Sequence, residues 1–354
     1  MNDENSCPIL VFDLGGTGWR SAICSAHGDI TDLNHHPAVT KANTGSNVAT
    51  LREILVAHVL DRARELLSRR PEIRIVSISI GAAVNGHTGL VLASAPLWGD
   101  CIEPYDFHAE LSAAEPGLQW CIANDLTCLA LAIRARESVL SHGFRSITVV
   151  SVGSGIAART IDVDSGELVL NPMHGIQGEI GHLPSLVTPP WGAELPVCDC
   201  GAVGHVAAIS AGKAIERHLS QFAQILGTPH DRPTMSHVQH LREALDSGNA
   251  SATKFLDYVT APLAMALLYL MTIDARVGHV YVSGGVVDVL GPHYMSSLYR
   301  NMEGEGLYLI STHQPTVVRD TISNPCSDGL DPLRGAGLFA RQQRPGGVGV
   351  IDRS

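Results

Sequence analysis

Short apolar runs that end at polar or glycine-rich positions recur along the chain. Runs of this length, bounded by turn residues, are typical of buried β-strands. The spacing between them leaves room for helices, so the pattern predicts an α/β protein. The runs cover residues 8–13, 73–80, 121–123, 146–152 and 280–282.

Two of these runs lead into similar hairpins. The first strand stops at Leu14-Gly15-Gly16-Thr17, and residues 19–26 follow as its antiparallel neighbour. The strand 146–152 stops at Gly153-Ser154-Gly155 and is followed by residues 156–161. Two copies of one strand, glycine turn and strand indicate an internally duplicated fold.

Apolar positions at spacings of three and four predict the helices. The helix after Asn124-Asp125 carries Leu126, Leu129, Ala130 and Ile133, with Asn124 or Asp125 as its cap. Residues 228–238 are expected to form a loop. The other predicted helices cover residues 47–67, 208–219, 250–273 and 331–341.

Composition limits the kind of partner. The 354 residues carry a net charge of −11, and nucleic-acid or membrane-surface binding requires basic faces. We find no apolar run of about 18 residues and no signal peptide, so a cytoplasmic protein that binds a small molecule is expected. Eight cysteines in a chain of this length do not form a disulfide framework, and only Cys198 and Cys200 are close together.

The glycine turns and the Asn124-Asp125 pair are candidate chemistry. Glycine lets backbone N–H groups approach an anion, Thr17 adds a hydroxyl, and Asp13 is placed to hold a metal-bound water. A plain hairpin explains the same residues. Asp125 at a helix N-terminus can orient a substrate hydroxyl and accept its proton, or can simply cap the helix. Trp98 lies in the predicted loop 95–100 and looks exposed.

Six motifs occur in one order over residues 8–340, and together they resemble the ROK family (repressors, open reading frames and sugar kinases). This family belongs to the actin-like, ribonuclease-H-like ATPase superfamily. The motifs are Asp13-Leu14-Gly15-Gly16-Thr17, Asn124-Asp125, Gly153-Ser154-Gly155-Ile156, Gly178-Glu179-Ile180-Gly181-His182, Cys198-Asp199-Cys200-Gly201 with Gly204, and Ser283-Gly284-Gly285-Val286.

The resemblance implies two lobes with ATP in the cleft and a role for each motif. Both hairpins bracket the ATP phosphates, Asp13 lies near Mg²⁺, and Asp125 is the catalytic base. The phosphate-binding residues so implied are Gly15, Gly16, Thr17, Gly153, Ser154 and Gly155; Gly284 and Gly285 lie by the adenosine; and Asn124, Asp125, Glu179 and His182 contact the sugar. Phosphoryl transfer needs mainly in-line positioning and charge neutralisation, which these groups can supply.

The resemblance also implies a structural Zn²⁺ site. In the family a His and three cysteines bind the metal; here His182, Cys198 and Cys200 are in place, and His205 stands at the third cysteine position. Imidazole and thiolate are both zinc ligands, so a Cys₂His₂ site is expected. The Pro-rich link 183–197, with Trp191, is longer than usual in the family.

Two departures from the family pattern concern the acceptor. Ala207 replaces a sugar-binding Glu, and the Asn usually found near Trp98 is absent. Each loss leaves a substrate hydroxyl without a partner. We therefore expect a kinase for a sugar or sugar-like polyol, including a modified sugar or a cyclitol. Asp100 or His205 could compensate, so a hexose or N-acetylhexosamine kinase of the glucokinase kind remains an alternative.

Two non-kinase alternatives come from the same family. A repressor carries a DNA-binding segment before the first hairpin, whereas 12 residues precede Asp13 here, which disfavours it. A non-catalytic sugar-binding regulator stays open because of Ala207 and the absent Asn, whereas the retained Asp13, Asp125 and both hairpins disfavour it. We expect a homodimer, an N-terminal lobe of residues 1–124 plus about 331–341, a C-terminal lobe of 125–330 with the zinc motif, and a tail 342–354.

Overall fold

The computed structural model describes residues 7–189, 194–226, 236–325 and 327–343, with the main chain only for 221–226. Its strands are β1 (Ile9–Leu14), β2 (Gly18–Cys24), β3 (Ile30–Pro37), β4 (Ile75–Ile80), β5 (Ala83–Val84), β6 (Val91–Ala93), β7 (Gln119–Asn124), β8 (Ser146–Val152), β9 (Ile156–Asp162), β10 (His279–Ser283) and β11 (Ile322–Ser323). Its helices are α1 (Lys41–Thr44), α2 (Val48–Arg69), α3 (Ala95–Trp98), α4 (Phe107–Ala114), α5 (Asp125–Arg134), α6 (Glu137–Leu140), α7 (Val206–Ser210), α8 (Gly212–Leu226), α9 (His237–Asp246), α10 (Ala250–Ile273), α11 (Gly285–Leu290), α12 (Pro292–Glu305), α13 (Ile310–His313), α14 (Val317–Thr321) and α15 (Asp331–Gln342).

The chain divides into two compact units. Unit 1 comprises residues 1–145, 161–177 and 327–354, and unit 2 comprises residues 146–160 and 178–326. The boundary expected from sequence fell at residue 125, but α5 belongs to unit 1. It packs closely on α15, where a Cβ at Gly335 would lie 1.7 Å from the Cys128 carbonyl oxygen. This close approach needs glycine, and it explains why the residues after 125 stay with the first unit.

Unit 1 is built on a five-stranded sheet in the order β3-β2-β1-β4-β7. β1 runs antiparallel to β2 and parallel to β4, and β4 runs parallel to β7. Side chains of β1 alternate between the two faces: Leu10, Phe12 and Leu14 join the core that includes α2 residues, whereas Ile9 and Val11 join the core that includes α15 residues. Helices therefore cover the central strand on both faces.

Unit 2 repeats this arrangement. Its sheet has the order β11-β10-β8-β9, with β10 parallel to both β8 and β11. The three-residue connection 153–155 makes β9 the antiparallel partner of β8. The order β2-β1-β4-β7 in unit 1 thus matches β9-β8-β10-β11 in unit 2. The duplicated topology predicted from the two hairpins is present.

Within the described residues, one helix is long and apolar enough by length and composition to cross a membrane, namely α10. More than half of its most apolar window is buried, and Leu256, Val259, Leu263 and Leu267 lie in the core of unit 2. This burial is the pattern of a core helix.

Several elements differ from the sequence-based expectation. Trp98 is 1% exposed and ends helix α3, so the prediction of an exposed loop residue is wrong. The helix expected over 208–219 is two helices, α7 and α8, because Ala211 between them is extended. β3 was not predicted. Trp191 and most of the loop 228–238 and of the tail 342–354 lie outside the described residues.

Candidate functional site

The first glycine turn packs tightly against the start of α3. The Gly15 N–H donates to the Gly18 carbonyl over 3.1 Å, and a Cβ at Gly16 would lie 2.7 Å from the Pro96 Cβ. Thr17 at the tip is exposed. The turn therefore presents Thr17 and its backbone to solvent, and Gly16 is needed for the close contact.

Asp13 is held from both neighbouring strands. Its Oδ2 accepts hydrogen bonds from Arg20 Nε (3.0 Å) and Nη2 (2.6 Å), and its Oδ1 accepts from Ser79 Oγ (3.1 Å). Arg20 on β2 and Ser79 on β4 are the register partners of Asp13. Arg20 also donates to the Gly329 carbonyl over 2.6 Å. Sequence analysis identified neither Arg20 nor Ser79, although the hairpin register places Arg20 opposite Asp13.

Asn124 is the cap of α5 and also fixes its neighbour Asp125. Its Oδ1 accepts from the N–H groups of Leu126 (3.0 Å) and Thr127 (3.2 Å). Its Nδ2 donates to the Ala82 carbonyl (2.8 Å) and to Asp125 Oδ1 (3.0 Å). Asp125 Oδ1 accepts a further bond from the Leu126 N–H over 2.8 Å. The amide thus ties the carboxylate both to the helix start and to the loop after β4.

That loop brings Asp125 near the first hairpin. Gly81 donates to the Leu14 carbonyl over 3.0 Å, and a Cβ at Gly81 would lie 3.6 Å from Asp125 Oδ2. Ser94 Oγ donates to the Gly81 carbonyl over 2.6 Å. In unit 1 the structure therefore brings Gly15, Asn124 and Asp125 into one cluster around Gly81.

Cys128 lies one helical turn after Asp125. Burial raises the pKa of its thiol far above the ordinary range, and the carboxylates of Asp13 and Asp125 raise it further. Both carboxylates therefore lie near the same buried thiol. The thiol stays protonated and is a packing group rather than a nucleophile.

In unit 2 the second glycine turn meets two other glycines. The Gly153 carbonyl accepts from the Gly212 N–H over 2.7 Å. Gly284, with φ of 127°, approaches so closely that a Cβ there would lie 2.4 Å from the Val152 carbonyl oxygen. Ser154 and Gly155 are exposed. The structure therefore brings the 153–155 turn together with Gly284 and Gly285, and it adds Gly212, which sequence analysis missed.

The segment carrying Glu179 and His182 lies flat on β9. The Ala158 N–H donates to the Gly178 carbonyl over 2.7 Å, and a Cβ at Gly181 would lie 2.4 Å from the Ile156 carbonyl oxygen. Residues Ile180–His182 form a single 3₁₀ turn. These contacts fix the backbone on both sides of Glu179.

Four potential metal ligands converge beside this segment. One ligand atom from each of His182, Cys198, Cys200 and His205 lies within 4.8 Å of the others. Cys198 Sγ is 3.9 Å from His182 Nδ1, and Cys200 Sγ is 3.3 Å from His205 Nδ1. Around tetrahedral zinc with bonds of about 2.0–2.3 Å, ligand atoms are roughly 3.3–3.8 Å apart. The donor set therefore fits zinc, and these two pairs of ligand atoms lie at or near this spacing.

A turn and a short pairing assemble this cluster. The Gly201 N–H donates to the Cys198 carbonyl over 2.8 Å, with Gly201 at φ of 90°. A bridge between Pro184 and His205 aligns the two segments. The backbone thus brings the histidines, which are far apart in sequence, to the same turn.

The two residues considered as compensating groups occupy separate places. Asp100 forms an exposed ion pair with Lys41 at 2.6 Å in unit 1, and His205 joins the cysteine cluster in unit 2. Ala207 is half-buried in α7. Asp100 and His205 are therefore already engaged with other side chains.

Comparison with known proteins identifies the family. A sequence model of the ROK family matches residues 9–324. The chain is 35% identical to a 2-epi-5-epi-valiolone 7-kinase from Actinoplanes sp., over 96% of this chain and 94% of the relative. It is 26% identical to a C(7)-cyclitol 7-kinase from Streptomyces hygroscopicus subsp. limoneus, over 94% and 95% of the two chains.

A solved structure shares the fold. The ROK family glucokinase from Streptomyces griseus, determined with glucose and AMPPNP, has a TM-score of 0.70 at 18% identity and covers 95% of this chain and 100% of its own. The predictions of an actin-like α/β fold and of a phosphotransferase with an alcohol acceptor are confirmed. The chain belongs to the ROK family, as a kinase that phosphorylates a hydroxyl of a sugar or sugar-like polyol.

Proposed function

We propose that this enzyme transfers the γ-phosphoryl group of ATP to the 7-hydroxyl of a C7 cyclitol of the 2-epi-5-epi-valiolone type. This choice of acceptor is supported by the 35% identity, over nearly the whole chain, to a kinase named for that substrate and position. A second cyclitol kinase matches along the same length. Ala207, in place of a hydroxyl-binding Glu, agrees with an acceptor whose hydroxyls differ from those of a hexose.

Asp125 acts as the base that orients the acceptor hydroxyl. Asn124 Nδ2 and the Leu126 N–H hold one carboxylate oxygen, so the side chain enters the reaction already positioned. The helix N-terminus favours the ionised form. In a loose transition state the alcohol loses its proton late, so positioning contributes more than a high pKa.

The two glycine turns bind the ATP phosphates, and Asp13 helps to hold Mg²⁺. Gly15, Gly16 and Thr17 in unit 1 and Gly153, Ser154 and Gly155 in unit 2 take this role, with Gly284 and Gly285 by the adenosine. Mg²⁺ prefers carboxylate oxygens and water, and Asp13 offers a carboxylate held by Arg20 and Ser79. Bound Mg²⁺ neutralises the phosphate charge that develops during transfer.

Glu179, His182 and Asn124 bind the acceptor together with Asp125. Each acceptor hydroxyl is both a donor and an acceptor of hydrogen bonds, and carboxylate, imidazole and amide groups match this requirement. If His182 also binds zinc through one nitrogen, its other nitrogen can still face the substrate.

The experiment that tests this function is ADP release from Mg-ATP with 2-epi-5-epi-valiolone, glucose, N-acetylglucosamine and N-acetylmannosamine. We expect the cyclitol to give the highest kcat/KM. A higher kcat/KM with a hexose or an N-acetylhexosamine would show that this sugar, and not the cyclitol, is the preferred substrate. Asp125→Asn should abolish turnover with any acceptor, and Asp61→Asn, on an exposed face of α2, is the matched control.

We also propose a structural zinc at His182, Cys198, Cys200 and His205. The metal would fix the backbone beside Glu179 and would not touch the reacting groups. We expect one zinc per chain by elemental analysis, and loss of zinc with a lower unfolding temperature in Cys198→Ser. Cys7→Ser, at an exposed cysteine, should keep the metal. Protein that is purified without metal and is as stable as the metal-loaded protein would contradict the zinc site.

We also propose that the protein is a cytoplasmic homodimer and that it binds neither nucleic acid nor membrane. The net charge of −11 supports the absence of those partners. Two residues near the end of α10, Tyr269 and Ile273, expose 46% and 82% of their surface, and such apolar area is often covered by a second copy. Light scattering should give twice the 37.6 kDa chain mass, and a monomer at working concentration would contradict it.

A further inference from the structure

Unit 2 contains a buried arginine that none of the predicted roles uses. Arg159 lies on β9 and is 2% exposed. Its Nη1 donates to the Ala158 carbonyl over 3.1 Å, and its Nη2 donates to Glu179 Oε1 over 3.4 Å. Among the described residues no partner accepts a hydrogen bond from its Nε. The guanidinium is therefore desolvated and forms its ion pair with Glu179.

Packing alone does not explain an arginine at this position. Its neighbours Ala158 and Thr160 point to the other face of β9: Ala158 lies in the unit 2 core and Thr160 contacts Thr148 over 2.8 Å. Removing a guanidinium from water costs several kcal/mol, and a single ion pair seldom recovers this cost. An apolar residue would fill the space at lower cost. The arginine is thus better explained by what it does to Glu179.

Glu179 needs such a partner to have a defined position. Glycines 178 and 181 pin its backbone to β9, but the side chain is 36% exposed. A free glutamate carboxylate would sample several rotamers. The bond to Arg159 holds Oε1, and the second oxygen remains available to accept a hydrogen bond from a hydroxyl.

We propose that Arg159 is a positioning residue that orients the Glu179 carboxylate for the acceptor and thereby sets acceptor affinity. This inference rests on the proposed function, since it takes Glu179 as an acceptor-binding group. The ligand that fits is a polyol that donates a hydroxyl proton to the carboxylate. Arg159 itself touches neither ATP nor the reacting atoms in this account.

The test compares Arg159→Met, Arg159→Lys, Glu179→Gln and the double variant Arg159→Met/Glu179→Gln. The acceptor Kd is measured by calorimetry without ATP, using 2-epi-5-epi-valiolone, and kcat and both KM values follow from initial rates. A hydrogen bond to a charged group is worth a factor of about 10 to 100 in affinity. We therefore expect Arg159→Met to raise the acceptor Kd and KM about tenfold to a hundredfold, with the KM for ATP unchanged within about twofold.

The other variants separate positioning from folding. Arg159→Lys retains the charge and should restore part of the affinity. The double variant should be no worse than Glu179→Gln, because the two residues act as a unit. Arg319→Met, which removes an exposed ion pair with Glu303 in the same unit, should bind the acceptor as the parent does.

An unchanged acceptor Kd in Arg159→Met, or an equal rise of both KM values, would overturn the assignment. Should Arg159→Met not fold, Arg159→Gln, which removes the charge and keeps a polar side chain, is judged by the same criteria. The parent enzyme reports separately on the proposed function. If it phosphorylates another acceptor in the panel, the cyclitol proposal fails and the variants are measured with that acceptor; if it phosphorylates none, both proposals fail.

Discussion

At the scale of single residues, the three carboxylates assigned to the chemistry accept hydrogen bonds from neighbouring side chains. Asp13 accepts hydrogen bonds from Arg20 and Ser79, and Glu179 accepts one from Arg159. Asn124 has two tasks, since one amide caps α5 and also contacts Asp125. Neighbouring side chains therefore fix where these carboxylates point.

Replacing Asn124 tests this double role. Asn124→Ala removes the cap of α5 and should lower the free energy of unfolding by about 1 kcal/mol. It also removes the Asn124 hydrogen bond to the Asp125 carboxylate, so we expect kcat to fall at least about tenfold, as for the loss of a positioning contact. Chemical denaturation and initial rates provide the two values.

Asn47→Ala is the matched control. Asn47 caps α2 through the same kind of bond, with its Oδ1 accepting from the Thr50 N–H over 3.0 Å. The control should lose comparable stability and keep its kcat. Equal kcat values in the two variants would contradict a positioning role for Asn124.

At the scale of elements, the predictable parts are those with strong local patterns. β8 and α10 were predicted with the observed bounds, because the first is a continuous apolar run and the second a long periodic one. β3 is an exposed edge strand with few apolar side chains, so it gave no such signal. The short α3 follows from its cap Ser94 and the contact of Pro96 with Gly16, which only the folded chain shows.

The contact of α5 with α15 gives an element-scale prediction. Gly335→Ala would place a methyl group 1.7 Å from the Cys128 carbonyl oxygen, so one helix must move. We expect unfolding free energy to fall by at least about 2 kcal/mol.

Gly304→Ala provides the comparison, measured by the same denaturation experiment. Gly304 lies in α12, where a Cβ would meet no atom within 4 Å. Alanine there should raise stability by up to about 1 kcal/mol. A Gly335→Ala variant as stable as the parent would show that the close packing is dispensable.

At the scale of the whole molecule, sequence motifs identified the family and the duplicated topology, whereas the supporting contacts remained hidden. The two hairpins are local and predicted the duplication, and the six motifs in order along the chain implied the actin-like fold through the resemblance to the family. Arg159 and Glu179 are 20 residues apart, and Asp13 and Ser79 are 66 apart, so their pairing depends on strand register and loop paths. Periodicity carries no information about such pairs.

Whether this enzyme is a cyclitol 7-kinase with Asp125 as its base is tested by the initial rate of Mg-ATP-dependent phosphorylation of 2-epi-5-epi-valiolone, with the product identified by NMR, for the parent and Asp125→Asn. We predict a phosphate ester at the 7-hydroxyl from the parent and a rate at least about a thousandfold lower in the variant, the scale expected when a catalytic base is removed. Phosphorylation at another hydroxyl or no turnover by the parent would contradict the proposed 7-kinase activity, and an active Asp125→Asn enzyme would contradict the role of Asp125 as the base.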